Sequence, residues 1–214
     1  MLADAHAVAT RWPDARQRMI AELATTVTET PWALSADHHA RGRDAGLSDD
    51  ELLHVIALSA FFGHLNRVAD AVAVPLDYEV RHLPSPAEPA TPPLHRAPAR
   101  IRGTPVLGID ARPATAAALA AWRDYVVAQS PVNQQIAAWV AALLGDGDPS
   151  PGDESELRRL VEQVTLAPWR LGDDSFAPLR SSGLDDAALF DACAAASAFG
   201  VFSRIRVALT ALGG

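Results

Sequence analysis

The chain has 214 residues, a formal net charge of -8 and a pI near 5.3, which argues against general nucleic-acid binding because that needs a basic face. All 18 basic residues are Arg, so Schiff-base lysine chemistry and the phosphate-loop lysine are excluded. One cysteine, Cys193, allows no internal disulfide, and the length suits one two-part domain or two small ones.

Met1-Leu2-Ala3-Asp4 places an acid where a signal peptide needs positive charge, so a soluble, cytoplasmic protein is expected. Ile20, Leu23, Ala24 and Val27 recur at helical spacing and predict a helix over about 14–29. Pro31-Trp32 breaks it. A short helix follows, with Ser35 as N-cap and an end near Gly46, which suits a left-handed C-terminal position. Ser48-Asp49-Asp50-Glu51 reads as a capping box and opens the longest helix, about 49–74. Leu52, Val55, Ile56, Phe62, Ala69 and Val72 line one side of it, while Leu53, Leu58, Phe61, Leu65 and Val68 fill the rest. A helix apolar nearly all round is expected to be buried on several sides.

Residues 75–113 hold nine of the sixteen prolines, including Pro92-Pro93, and favour extended backbone. Tyr78, Leu83, Leu94, Ile101 and Val106 recur through this segment. They favour a strap packed over the surface rather than a floppy linker. Two helices are predicted next, at about 114–129 and 132–144, divided at Ser130-Pro131. The loop 145–153 has acids but lacks the twelfth-position Glu of a calcium loop, so it reads as a solvated turn. A last long helix, capped by Asp185, runs to about 212. The long helices carry His54, His64 and Arg67, or Asp191, Arg204 and Arg206, so neither reads as a membrane span.

Residues 23–71 also reappear at 160–208 without a gap. At a constant offset of 137, 18 of 49 positions are identical, among them Pro31-Trp32 with Pro168-Trp169, Gly46-Leu47 with Gly183-Leu184, and Arg67 with Arg204. Such a self-match predicts one helical unit written twice. The expected fold is therefore all-α, an intrachain pseudo-dimer with a first repeat at 1–74, a proline-rich strap at 75–113 and a second repeat at 114–214. Two copies of one amphipathic unit bury their apolar faces most simply by isologous pairing.

Ala45-Gly46-Leu47-Ser48-Asp49-Asp50-Glu51-Leu52, followed by Phe61-Phe62-Gly63-His64-Leu65-Asn66-Arg67-Val68-Ala69-Asp70, resembles the alkylhydroperoxidase D-like, or carboxymuconolactone decarboxylase, superfamily and its peroxidase-related branch. The resemblance implies an all-α fold and homo-oligomerisation. The redox-active branch carries a Cys-x-x-Cys-x-x-x-His motif, whose histidine position is His38 here. Its cysteine positions fall on Pro31 and Leu34, and in the second copy the three positions hold Pro168, Leu171 and Ser175. Peroxide reduction needs an attacking thiolate and a resolving thiol; the motif here supplies neither. No metal or other cofactor is expected.

His38 is therefore the candidate catalytic residue, as a general base, against drift at a surface position. Arg67 could bind a carboxylate with its planar fork, but its recurrence as Arg204 favours a structural salt bridge to Asp37, with Asp174 serving Arg204. Asn66 and His64 could share a pocket with Arg67, and Trp32 could wall it; the plainer reading of His64 and Trp32 is helix-helix packing. Cys193 replaces Ile56 of the first copy and reads as an inert, buried thiol. Two functional readings stand. One is a superfamily member without the cysteine pair that keeps a small-molecule pocket and acid-base chemistry. The other is an inactive pseudo-dimer serving as a binding or scaffold module.

Overall fold

The computed structural model describes residues 14–73, 95–105, 107–109, 112–148 and 154–213. Among them are eight α-helices and no strand: α1 (Ala15–Glu29), α2 (Ala36–Asp44), α3 (Asp49–Ala71), α4 (Pro113–Gln129), α5 (Asn133–Leu144), α6 (Glu156–Leu166), α7 (Asp173–Ser181) and α8 (Asp186–Ala211). Single turns of 3-10 helix at Pro31–Ala33 and Pro168–Arg170 follow α1 and α6. The all-α expectation holds. These two turns, α2 and α7, and the first residues of α3 and α8 all repeat at the 137-residue spacing.

Local chemistry sets most of the boundaries. The Ser48 hydroxyl accepts from the Glu51 amide at 3.3 Å and the Glu51 carboxylate accepts from the Ser48 amide at 2.9 Å, so the capping box is formed. Asp185 caps α8 by accepting from the Ala188 amide at 2.8 Å. Ser35 departs from expectation. It occupies the N-cap position of α2, but its hydroxyl lies 3.0 Å from His38 Nδ1 and makes no cap bond. Gly46 has a φ of +83°, as a left-handed C-terminal position requires.

The long helices α3 and α8 pack against each other at the centre. Met19, Leu23, Val27, Leu52 and Ile56 join Val201, Ile205 and Leu209 in one apolar cluster. Ile136, Trp139, Val140, Val161, Val164 and Leu189 join Phe199 in a second. Each proline-initiated turn packs on the long helix of the other half, Pro31–Ala33 on α8 and Pro168–Arg170 on α3.

Burial differs between the two long helices. Helices α4 and α5 lie on α8 and enclose it. Among the described residues no such pair covers α3, and Leu58, Phe61, Phe62, Leu65 and Val72 are 42–54% exposed. The expectation that α3 is buried on several sides fails for this face, because α4 and α5 pack mainly on α8 rather than on α3. By length and composition both α3 and α8 could cross a membrane, although most of α8 is core.

The described part of the strap is mostly exposed but is held to the helices at a few points. The Ala97 amide donates to the Leu143 carbonyl at 3.1 Å and the Ile101 amide to Gly145 at 2.8 Å, while Leu107 is buried. Tyr78, Leu83, Leu94 and Val106 lie outside the described residues. The acidic turn is more anchored than its sequence suggests: Asp146 accepts from Arg206 and Asp148 from Arg100. Residues 149–153 lie outside the described set.

Candidate functional site

Arg67 and Arg204 meet in the interior, 6% and 2% exposed. Arg67 Nε donates to the Thr165 carbonyl at 3.3 Å and Nη2 to Thr28 at 3.4 Å, while Nη1 donates to Gly63 at 2.7 Å. Arg204 reaches the same carbonyls in the opposite order, Nε to Thr28 at 3.1 Å and Nη2 to Thr165 at 2.9 Å, with Nη1 on Gly200 at 3.3 Å. Thr28 and Thr165 stand in the last turns of α1 and α6, where carbonyls lack helical partners and the helix dipole is negative. Two helix ends thus do the work expected of carboxylates. Burial lowers the pKa of both arginines, to about 10 for Arg67, and the Arg67 charge lowers Arg204 further.

The salt bridges expected from sequence do not form. Asp37 is exposed and pairs with Arg41 at 2.8 Å, and Asp174 is exposed. The physical reason is register: the carbonyls of α1 and α6 face the arginines, whereas both aspartates sit in the first turns of α2 and α7 and point to solvent.

The predicted site residues do not converge. His38 lies between α1 and α2, with Nδ1 on Ser35 and Nε2 3.7 Å from Glu22, whose carboxylate is held by Arg41. Burial is the main cause of its lowered pKa. His64 packs edge-on against Trp122, with ring centroids 5.3 Å apart, and its Nδ1 lies 2.8 Å from Ser197 Oγ. The Ser197 hydroxyl also lies 3.0 Å from the His64 carbonyl, so its one proton can serve either acceptor. Burial lowers the His64 pKa too. Trp32 is half-buried against the second cluster, and Asn66 is exposed. Arg67 has three of its nitrogens committed to carbonyls.

A cavity of about 400 Å³ opens elsewhere, between the C-terminal end of α3 and the α7–α8 corner. Val72, Leu171, Phe176, Leu189, Phe190 and Cys193 give it apolar walls, and Asp70, Asp173, Arg180 and Asp186 give it charge. Arg180 bonds Asp186 at 2.9 Å and lies 5.6 Å over the Phe176 ring. Desolvation raises the Asp70 pKa, partly offset by Arg67. Burial pushes the Cys193 thiol up to about 12, so it is protonated at neutral pH.

The matched positions in residues 23–71 are occupied by larger or better buried side chains. Leu34, Leu52, Leu53 and Ile56 are buried there in the first cluster. At the 137-residue spacing Cys193 replaces Ile56 and Phe190, 44% exposed, replaces Leu53. The shorter thiol and the outward phenylalanine leave the space. Asp70 stands where the other half has Val207. That apolar-to-acid difference is the available sequence signal, and only the packing of α3 against α8 and the Pro168–Arg170 turn gives it meaning. A second cavity of about 400 Å³ under the strap is lined mainly by apolar residues, with Arg123 and Arg206; it lies away from the motif positions.

No family profile matches the chain, and no curated protein and no solved structure matches it significantly.

Proposed function

We propose that this protein is a tandem-repeat, alkylhydroperoxidase D-like pseudo-dimer that binds a small molecule without thiol redox chemistry. The ligand seat is the cavity at the α3–α7–α8 corner. One observation carries the reading: Leu171, at a position where the resembling motif has a cysteine, lines a ligand-sized cavity. The only thiol there, Cys193, is held protonated. The mirrored hydrogen bonds of Arg67 and Arg204 and the repeated element bounds support the duplicated architecture. Three carboxylates against one arginine, itself paired to Asp186, make the cavity negative over an apolar floor. Its complement is an apolar molecule bearing a protonated amine, which the Phe176 and Phe190 faces also suit.

Calorimetric titration with an arylalkylamine and its carboxylate counterpart tests this. The amine binds and the carboxylate does not; Asp70→Asn weakens the amine by about tenfold, and Leu171→Trp abolishes binding. Equal binding of both ligands, or binding unaffected by Leu171→Trp, overturns the assignment. Peroxide turnover that disappears in Cys193→Ser with the fold intact would restore a thiol mechanism. An acid-base role for His38 is the second reading, favoured by its contacts with Ser35 and Glu22.

A further inference from the structure

The open face of α3 is unusual for a surface helix. Leu58, Phe61, Phe62 and Leu65 are 42–54% exposed on it, and an apolar patch of this kind marks an interaction site. At the 137-residue spacing α8 has Ala195, Ala198, Phe199 and Phe202, and there the face is closed by α4 and α5. The α3 face thus has the character of one that a helix covers.

We infer that a second copy of this chain covers it, by antiparallel pairing of α3 with the partner's α3 about a twofold axis between Phe61 and Phe62. The stripe is its own complement. Leu58, Phe61, Phe62 and Leu65 read Leu-Phe-Phe-Leu in either direction, with spacings of three, one and three residues. An axis between the two phenylalanines sets Leu58 against the partner's Leu65 and Phe61 against the partner's Phe62. This is the isologous condition, in which each contact occurs twice.

Charge points the same way. Residues 52–66 contain no Asp, Glu or Arg, so a second copy brings no like charge to the centre despite its net -8. An anionic bilayer is the poorer occupant, because the stripe ends at Asp70 and at Asp49-Asp50-Glu51, acids that already engage Arg43, Arg112 and Arg16. Phe61 also packs edge-on against Trp122 of α4, and Tyr125, one turn further along α4, is 63% exposed. With that residue at its rim the exposed apolar surface extends from α3 onto α4.

Light scattering of the full chain after size-exclusion chromatography is the first test, and a mass twice 22.7 kDa is expected. Phe62→Glu places two carboxylates at the axis and weakens dimerisation by about 100-fold or more, the scale of an interface hot spot. Register is read independently by disulfide trapping in a Cys193→Ser background. A mixture of Leu58→Cys and Leu65→Cys chains cross-links, and each alone does so at least tenfold more slowly. This arm keeps every aromatic side chain in place, so it holds even if Phe62→Glu does not fold. A monomeric mass at all concentrations, a dimer that survives Phe62→Glu, or faster trapping of Leu58→Cys alone overturns the proposal. Co-flotation of the monomer with vesicles of phosphatidylcholine and phosphatidylserine would do so as well, by assigning the stripe to a membrane.

Discussion

Two guanidinium groups side by side in a protein interior need an explanation, and Arg67 with Arg204 finds it in the helix ends rather than in carboxylates. Each carbonyl, Thr28 and Thr165, accepts from both arginines. Removing one arginine therefore leaves each carbonyl a partner and also relieves like-charge repulsion; removing the second orphans both. We expect Arg67→Met and Arg204→Met each to cost about 2–3 kcal/mol, with the double variant costing more than their sum. A salt bridge would give the reverse sign of coupling. Denaturant melts of the three variants provide the cycle, and a sub-additive double variant would contradict the shared-carbonyl account.

His64 carries a second residue-scale consequence. Its folded pKa lies below the ordinary 6.5 because of burial, with the Arg67 charge adding to it. As pH falls through 6.5 the unfolded chain takes up a proton that the folded chain does not, so stability is lost on acidification below that value. The melting temperature should fall between pH 7 and 5, and His64→Gln should flatten part of that slope. His38 contributes in the same direction, since its folded pKa is lowered as well.

At the scale of an element, α3 and α8 depend on glycine where their arginines turn back. A Cβ at Gly63 would stand 2.7 Å from Arg67 Nη1, and one at Gly200 the same distance from Arg204 Nη1. Alanine is favoured over glycine in a helix by about 0.8–1.0 kcal/mol, so propensity alone predicts stabilisation. The arginines are fixed by three bonds each and cannot swing aside freely. Gly63→Ala and Gly200→Ala should each destabilise by about 1–3 kcal/mol, the range for overpacking; a rise in melting temperature for either would show that the guanidinium moves. The capping box is a milder case, and Ser48→Ala should cost about 1 kcal/mol by thermal melt.

At the scale of the whole molecule, positions of α3 and α8 that match at the 137-residue spacing have unequal surroundings. Phe62 and Phe199 occupy matched positions, yet Phe199 is 3% exposed beneath α4 and α5 and Phe62 is 54% exposed. Phe199→Ala should cost about 3–5 kcal/mol, whereas Phe62→Ala, measured at protein concentrations low enough to keep the chain monomeric, should stay within about 0.5 kcal/mol. Comparable losses at both sites would mean that α3 is as enclosed as α8. The same inequality opens a cavity beside Cys193 and leaves its counterpart beside Ile56 packed.

The sequence by itself determined the helices and the caps at Ser48 and Asp185, because each depends on neighbours within a few residues: Ser48 with Glu51, Asp185 with Ala188, Pro31 and Pro168 at the turns. It also showed that Arg67 and Arg204 are equivalent. What they bond was decided by tertiary structure, since the Thr165 and Thr28 carbonyls lie 98 and 176 residues away in sequence from Arg67 and Arg204 respectively, and a backbone carbonyl leaves no residue-type signal. The candidate site followed the same rule. His38, His64, Asn66, Arg67 and Trp32 have suitable chemistry, but packing gives His38 to Ser35 and Glu22, His64 to Trp122 and Ser197, and Arg67 to backbone carbonyls. Asp70 and Cys193, unremarkable at their own positions, line one cavity because α3 packs along α8 and against the Pro168–Arg170 turn, contacts between residues far apart in the sequence.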